Sequence, residues 1–248
     1  MSARTVQLGA RLESRPSSGR LARKPKGPLK SAAGGLNGRS LRRGRTTRVV
    51  ITNSATTNIE SQKVALYEEL EKVAPNGLIA TPDDKSRIAE IVSAIEQSNP
   101  TEAPAQSPLM PGFWRMLYTD MEPAPSSGKL GPFVGDVFQD LRPENSLILN
   151  LLKVGFPPIR GGLSAALDII SDDTWRITFA DINQYLGPFK VQTKLFDQEK
   201  PEVRLWRITY LDDDLRIMRA KKEDDPDEGA FIFVLRRSEA ERFALGQL

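Results

Sequence analysis

The residues best placed to do chemistry lie in one short run, Tyr210-Leu211-Asp212-Asp213-Asp214-Leu215-Arg216-Ile217-Met218-Arg219. Three adjacent acids raise the question of a Mg²⁺ or Ca²⁺ site. Successive side chains diverge, however, and no acid-glycine spacing of a calcium loop follows. Asp212, Asp213 and Asp214 therefore read as a solvated hairpin turn, and no metal is expected. On a strand, Arg216 and Arg219 have opposite parity, so one of them turns inward, where a guanidinium requires a carboxylate or a ligand head group. A second constellation is Gly112-Phe113-Trp114. A glycine where chains crowd, then an indole, suits a tryptophan plugging one end of a barrel under an arginine from a late strand; Arg216, Arg219 and Arg236 are the candidates. Read structurally, such a pair closes a core without touching ligand.

The 248-residue chain contains no cysteine and no histidine. Those absences exclude a Cys nucleophile, a Ser-His-Asp triad, His-liganded zinc or haem, and any disulfide. Carboxylates, Lys and Tyr are left as acid-base groups, but the plausible ones fall in turns. A binding protein without a cofactor is expected, not an enzyme.

Charge divides the chain. Residues 1–58 hold 13 Lys and Arg against the single acid Glu13, leaving 22 basic and 31 acidic residues afterwards. The basicity thus belongs to the leading segment, and nucleic-acid binding by the acidic remainder is not expected. Residues 1–55, rich in Arg, Ser, Gly, Thr and Pro, lack the apolar core of a secretory signal and read as an organelle transit peptide, cleaved between Val50 and Ala55, plastid rather than mitochondrial. A disordered basic arm contacting nucleic acid or anionic lipid is the alternative. No run approaches the roughly 18 apolar residues of a membrane-spanning helix; the greasiest, Leu147 to Leu152, is broken by Asn150.

The elements that must position these residues follow from periodicity. A helical hairpin is predicted over 60–98, with one stripe of Val64, Tyr67, Leu70 and Val73 and another of Ile88, Ile91, Val92 and Ile95. Thr81-Pro82-Asp83-Asp84 announces the second helix, and Asn99-Pro100 stops it. From Leu109 to Arg237 the period becomes two: Trp114, Met116, Tyr118; Trp175, Ile177, Phe179; Trp206, Ile208, Tyr210; Phe231, Phe233, Leu235. With Leu147–Val154, Leu163–Ile170 and Phe189–Phe196, about seven or eight strands are expected, enough for a small closed antiparallel barrel, with an open sandwich as the other architecture. Alternation nominates Trp175, Ile177, Phe179, Leu205, Ile208, Tyr210, Phe231 and Phe233 as the wall of an apolar cavity.

These residues together resemble the fibrillins, or plastid lipid-associated proteins. The helix pair with Asn76-Gly77-Leu78, then Leu109, Gly112, Trp114 and Leu117-Tyr118-Thr119, looks like the family's N-terminal block. Tyr210 through Arg219 followed by Phe231 to Leu235 looks like its C-terminal block, and the likeness spans roughly Val64 to Arg237. The resemblance implies a mainly β, lipocalin-like barrel of about eight strands over 59–248 behind the transit peptide. It also implies residence at plastoglobules, thylakoids or stroma, and association with isoprenoids, quinones, carotenoids or fatty acids. Gly112, Trp114, Tyr118, Asp212, Asp213, Asp214, Arg216 and Arg219 are then motif residues. Two functions are expected as alternatives: sequestration of one apolar lipid in the barrel, or a structural coat on lipid droplets or thylakoids, with Leu147 to Pro158 as its contact. A third role, in which the helical hairpin recruits an enzyme of isoprenoid metabolism, has little support in the sequence, and no protein partner is identified.

Overall fold

The computed structural model describes residues 52–224 and 229–240, with side chains from Asn58 onward. The leader expected over 1–55 lies outside the described residues up to position 51. Helix α1 spans Thr52–Lys72 and α2 spans Pro82–Glu96. The Thr81 hydroxyl caps α2 by accepting from the Asp84 N–H at 3.2 Å, and the Asp84 carboxylate accepts in return from the Thr81 N–H at 3.0 Å.

Eleven strands follow: β1 (Gly112–Thr119), the short pair β2 (Lys129–Leu130) and β3 (Phe133–Val134), β4 (Asp136–Arg142), β5 (Leu147–Lys153), β6 (Ile159–Ile169), β7 (Thr174–Leu186), β8 (Phe189–Leu195), β9 (Val203–Leu211), β10 (Leu215–Lys222) and β11 (Phe231–Arg237). The main sheet runs β6-β5-β4-β1-β11-β10-β9-β7-β8, and β6 also pairs with β7. That extra pairing closes eight antiparallel strands into a ring and leaves β8 outside it. The barrel is closed, and the open sandwich is not formed. Strand β7 is long enough to serve two purposes: Thr174–Thr178 pair with β9 in the ring, while Asp181–Leu186 run past it to pair with β8. The result is a flap of β6, β7 and β8 standing beyond one rim.

The barrel encloses one core, and a second lies between its outer face and the helices. Inside are Trp114, Met116, Ile177, Trp206, Ile208, Met218, Phe233 and Leu235. Outside, Leu66, Leu70 and Val73 of α1 and Ile88, Val92 and Ile95 of α2 cover Tyr118, Tyr210, Leu215, Ile217, Ile232 and Val234. Strands β10 and β11 are therefore apolar on both faces.

Three expectations are corrected here. The α1 stripe does not include Val64, which is 56% exposed; Leu66 takes its place. Strict three-residue spacing drifts around a helix of 3.6 residues per turn, whereas steps of three and four stay on one face. The runs ending in Tyr118 and Tyr210 do not stay on one face either. Register shifts between Met116 and Tyr118, and opposite the Ile217–Met218 step of β10, each insert an extra residue and turn these tyrosines out toward the helices. Strand β4, absent from the expected set, is buried along Val137–Leu141 on both faces, including polar Gln139 and Asp140, so no alternation marks it.

Candidate functional site

One end of the barrel is plugged. Trp114 is fully buried and donates its indole N–H to the Met110 carbonyl at 3.1 Å. Two guanidiniums pack over its ring, Arg216 at 4.9 Å and Arg237 at 4.3 Å from the centroid. Arg237 also binds the Leu109 carbonyl at 2.5 Å, fixing the connector across the opening. Trp175 does the same from β7, donating to the Ala105 carbonyl at 2.9 Å. Of the arginines considered for Trp114, Arg216 is the inner partner and Arg237, not foreseen, the outer one. Arg219 faces out and grips α2 through two bonds of 2.9 Å to Glu96, and Arg236 packs over the Tyr67 ring at 5.3 Å. Gly112, with φ of +147°, sits against the Arg237 guanidinium, which a β-carbon there would meet at 2.5 Å.

The other end holds a cavity of about 610 Å³. Its wall is mainly apolar, with Met116, Leu152, Trp206 and Phe233 buried and Leu163, Phe179 and Phe231 half-buried. The rim is made by the 121–126 segment between β1 and β2, the beginning of β9 and the inner face of the flap. Phe179, Phe231 and Phe233 of the nominated wall residues border this space. Trp175, Ile177 and Ile208 lie in the interior core without reaching it, so they fill the plugged half. Tyr210, turned by its bulge, and Leu205, which alternates with inward Trp206, stand on the other face.

Arg216 is the inward arginine. It is fully buried, and among the described residues no carboxylate pairs with it. Its Nη2 donates to Gln139 Oε1, its Nη1 reaches Met110 Sδ at 3.8 Å, and its Nε–H has no acceptor. Burial, with the Arg237 cation adding to it, pushes this guanidinium down to about 9.

Only Asp213 is the solvated turn residue expected; the carboxylates of Asp212 and Asp214 are engaged. Asp212 accepts from Lys63 Nζ at 2.9 Å, the Tyr210 hydroxyl at 2.6 Å and the N–H groups of Asp214 and Leu215. Asp214 accepts from the Tyr67 hydroxyl at 3.0 Å and from Arg236 at 3.0 Å, and the Asp213 carbonyl accepts from Arg237. The motif is the clasp that holds α1 on the barrel. Sequence reasoning missed Lys63 because it continues the face of Leu66 and Leu70 one step earlier as a charged residue, which apolar periodicity does not select. Burial alone would raise the Asp212 carboxyl, but its hydrogen bonds to Tyr210, Leu215, Lys63 and Asp214 outweigh that and hold it below the usual carboxylate range. A depressed folded pKa contributes stability that is complete above the unfolded value of about 4 and is lost as pH falls through the folded one. Asp212→Ala is expected to cost about 3 kcal/mol at neutral pH in urea unfolding, and Asp212→Asn to flatten the acid limb of the stability curve.

A closed eight-stranded antiparallel barrel with one plugged end, an apolar cavity and a helical hairpin on its flank is a lipocalin-like architecture. The PAP/fibrillin family model matches residues 60–225, and the chain belongs to that family. It is similar to "Probable plastid-lipid-associated protein 5, chloroplastic" of Arabidopsis thaliana, with 26% identity over 182 residues, covering 71% of this chain and 70% of that protein.

Proposed function

We propose that this protein is a non-enzymatic lipid carrier of the plastid that holds one apolar lipid, an isoprenoid, quinone, carotenoid or fatty acid, inside the barrel. The observation that carries this reading is the 610 Å³ apolar cavity at the unplugged end, a volume within the range of about 300–1,000 Å³ typical of small-molecule sites. Burial of a long chain at about 25 cal/mol per Å² supplies micromolar affinity without any charged contact. Family membership and the plastid-lipid name of the relative support the same setting. The test is native mass spectrometry of the full chain recovered from total plastid lipids. One defined lipid per chain is expected; a protein that floats with lipid droplets but retains none would be a coat instead.

A second reading, attachment to a plastoglobule or thylakoid surface, has its own observation. The expected contact over Leu147–Leu152 is not available, because β5 is a barrel strand with Ile148, Leu151 and Leu152 buried. Exposed apolar side chains gather instead where the β5–β6 and β7–β8 turns meet: Phe156 (91%) in the first, and Leu186 (46%) and Phe189 (73%) flanking the second. Residues 153–160 and 182–195 contain no acid, and Lys190 and Lys194 lie among the apolar groups. On the flap, Leu186 pairs with Phe189, and Ile182, four residues earlier on the same face, borders the cavity. Such a surface suits an anionic lipid interface. Phe156→Ser combined with Phe189→Ser is expected to weaken binding to anionic vesicles about tenfold in flotation assays, with the thermal midpoint unchanged.

A further inference from the structure

The cavity is not uniformly apolar: charged Glu122, Glu202, Arg204 and Lys221 border it as well as two amides, Gln139 and Asn150, of which Gln139 reaches the fully buried Arg216. Gln139 on β4 and Asn150 on β5 are directly paired across the two strands, so their side chains share the inner face, and both border the cavity. The orientation of Gln139 is fixed by chemistry. A guanidinium only donates, so the atom bonded to Arg216 is the amide oxygen, and the amide nitrogen is left as a donor. Among the described residues that nitrogen has no acceptor, and the Asn150 side chain makes no hydrogen bond. Behind them stands Arg216, fully buried, with an orphan Nε–H and no carboxylate to balance it. A buried cation without a counter-ion is costly, and an anion brought within reach removes that cost.

We propose that Gln139 and Asn150, backed by the buried cation of Arg216, form a receiving floor for a carboxylate, so that the lipid bound best is a long-chain carboxylic acid lying head inward. This rests on the carrier reading and narrows it to one ligand class. The acyl chain would run outward past buried Met116 and Phe233 to half-buried Phe179 and Phe231. A quinone, carotenoid or ester would fill the same space without neutralising Arg216. Discrimination between acid and ester is therefore the property to measure.

The experiment is a binding titration of the full chain with palmitic acid, methyl palmitate and palmityl alcohol, which share one chain and differ only at the head. The acid is expected to bind about tenfold tighter than the other two at neutral pH, as for a charge-assisted contact out of water. That preference should vanish as the ligand carboxyl becomes protonated, with ester binding constant across the same pH series. Arg216→Met exchanges the buried cation for an apolar chain of similar length, a change that buried charges often tolerate; the ratio of acid to ester affinity should fall to about one. Asn150→Leu gives a second reading through a half-buried position and should lower the ratio of acid to ester affinity about threefold. Equal affinities for all three lipids, or an acid preference that survives Arg216→Met, overturns the carboxylate floor and leaves the carrier reading intact. Failure of every lipid to saturate at one per chain overturns the carrier reading itself, and the floor with it.

Discussion

Replacing Gly161 with phenylalanine is expected to remove lipid retention while leaving the barrel folded. Gly161 borders the cavity and pairs with inward-facing Leu152 across β5 and β6. A β-carbon built at Gly161 meets only the Leu152 β-carbon, at 3.7 Å, an ordinary van der Waals distance. The backbone there is not in the left-handed region, so a larger residue fits the strand, and an aromatic is well suited to it. The new ring projects into the space that a lipid chain would occupy. Losing that contact area corresponds to at least about a tenfold fall in affinity, since about 1.4 kcal/mol is a factor of ten and a buried aromatic contact exceeds it. The measurement pairs lipid retained per chain with the thermal midpoint. A fall in the first and constancy of the second is the expected result; unchanged retention would place the lipid outside the barrel.

Trp114→Ala is expected to be the most damaging single change, costing about 3–5 kcal/mol as a fully buried aromatic truncated in a core. The loss is compounded because the same ring carries both Arg216 and Arg237 against it, and because its N–H holds the Met110 carbonyl. For a domain of this size each kcal/mol lowers the midpoint by about 2–4 °C, so a fall on the order of 10 °C should be seen by thermal unfolding. Trp114→Phe separates the contributions: it keeps a ring under the arginines, loses the hydrogen bond, and should cost about 1–2 kcal/mol. If Trp114→Ala unfolds within 2–3 °C of the parent, as a surface substitution would, the plugged end carries little of the stability.

The strands whose pairing is uninterrupted were legible. Phe231, Phe233 and Leu235 point inward because β11 pairs with β10 without a break from Phe231 to Arg236, and period two then reports the face directly. The same logic fails at Tyr118 and Tyr210, because a single bulged residue inverts the parity of everything beyond it. Nothing in the local composition marks those bulges; they arise from closing the ring and seating the helices. Strand β4 was invisible for a different reason. Phe138 stacks on Phe113 at 4.9 Å on the outer face while Gln139 turns inward, so apolar and polar residues interleave with no face to tell them apart.

The site was legible in its charged residues and illegible in their partners. Opposite parity for Arg216 and Arg219 followed from spacing alone, and the structure turns Arg216 in and Arg219 out to Glu96. Its neighbours could not be read, because Gln139 and Asn150 come from strands that meet only in the folded barrel. Asp212 to Asp214 looked like a loop tip because their partners, Lys63 and Tyr67, lie some 150 residues earlier, at separations of 149 and 147 positions. Long-range pairing of this kind is set by topology, and one-dimensional spacing carries no trace of it.

The most direct test of a lipid inside the barrel uses Trp206, which borders the cavity while Trp114 and Trp175 are tied to backbone carbonyls at the plugged end. The full chain is titrated with a lipid brominated along its acyl chain, and tryptophan emission is followed, with Trp206→Phe as the control. Quenching that saturates at one lipid per chain, disappears in Trp206→Phe and is lost in Gly161→Phe is the predicted result. Quenching that grows with vesicle area, or that is unchanged by either substitution, would contradict it and make the protein a surface coat.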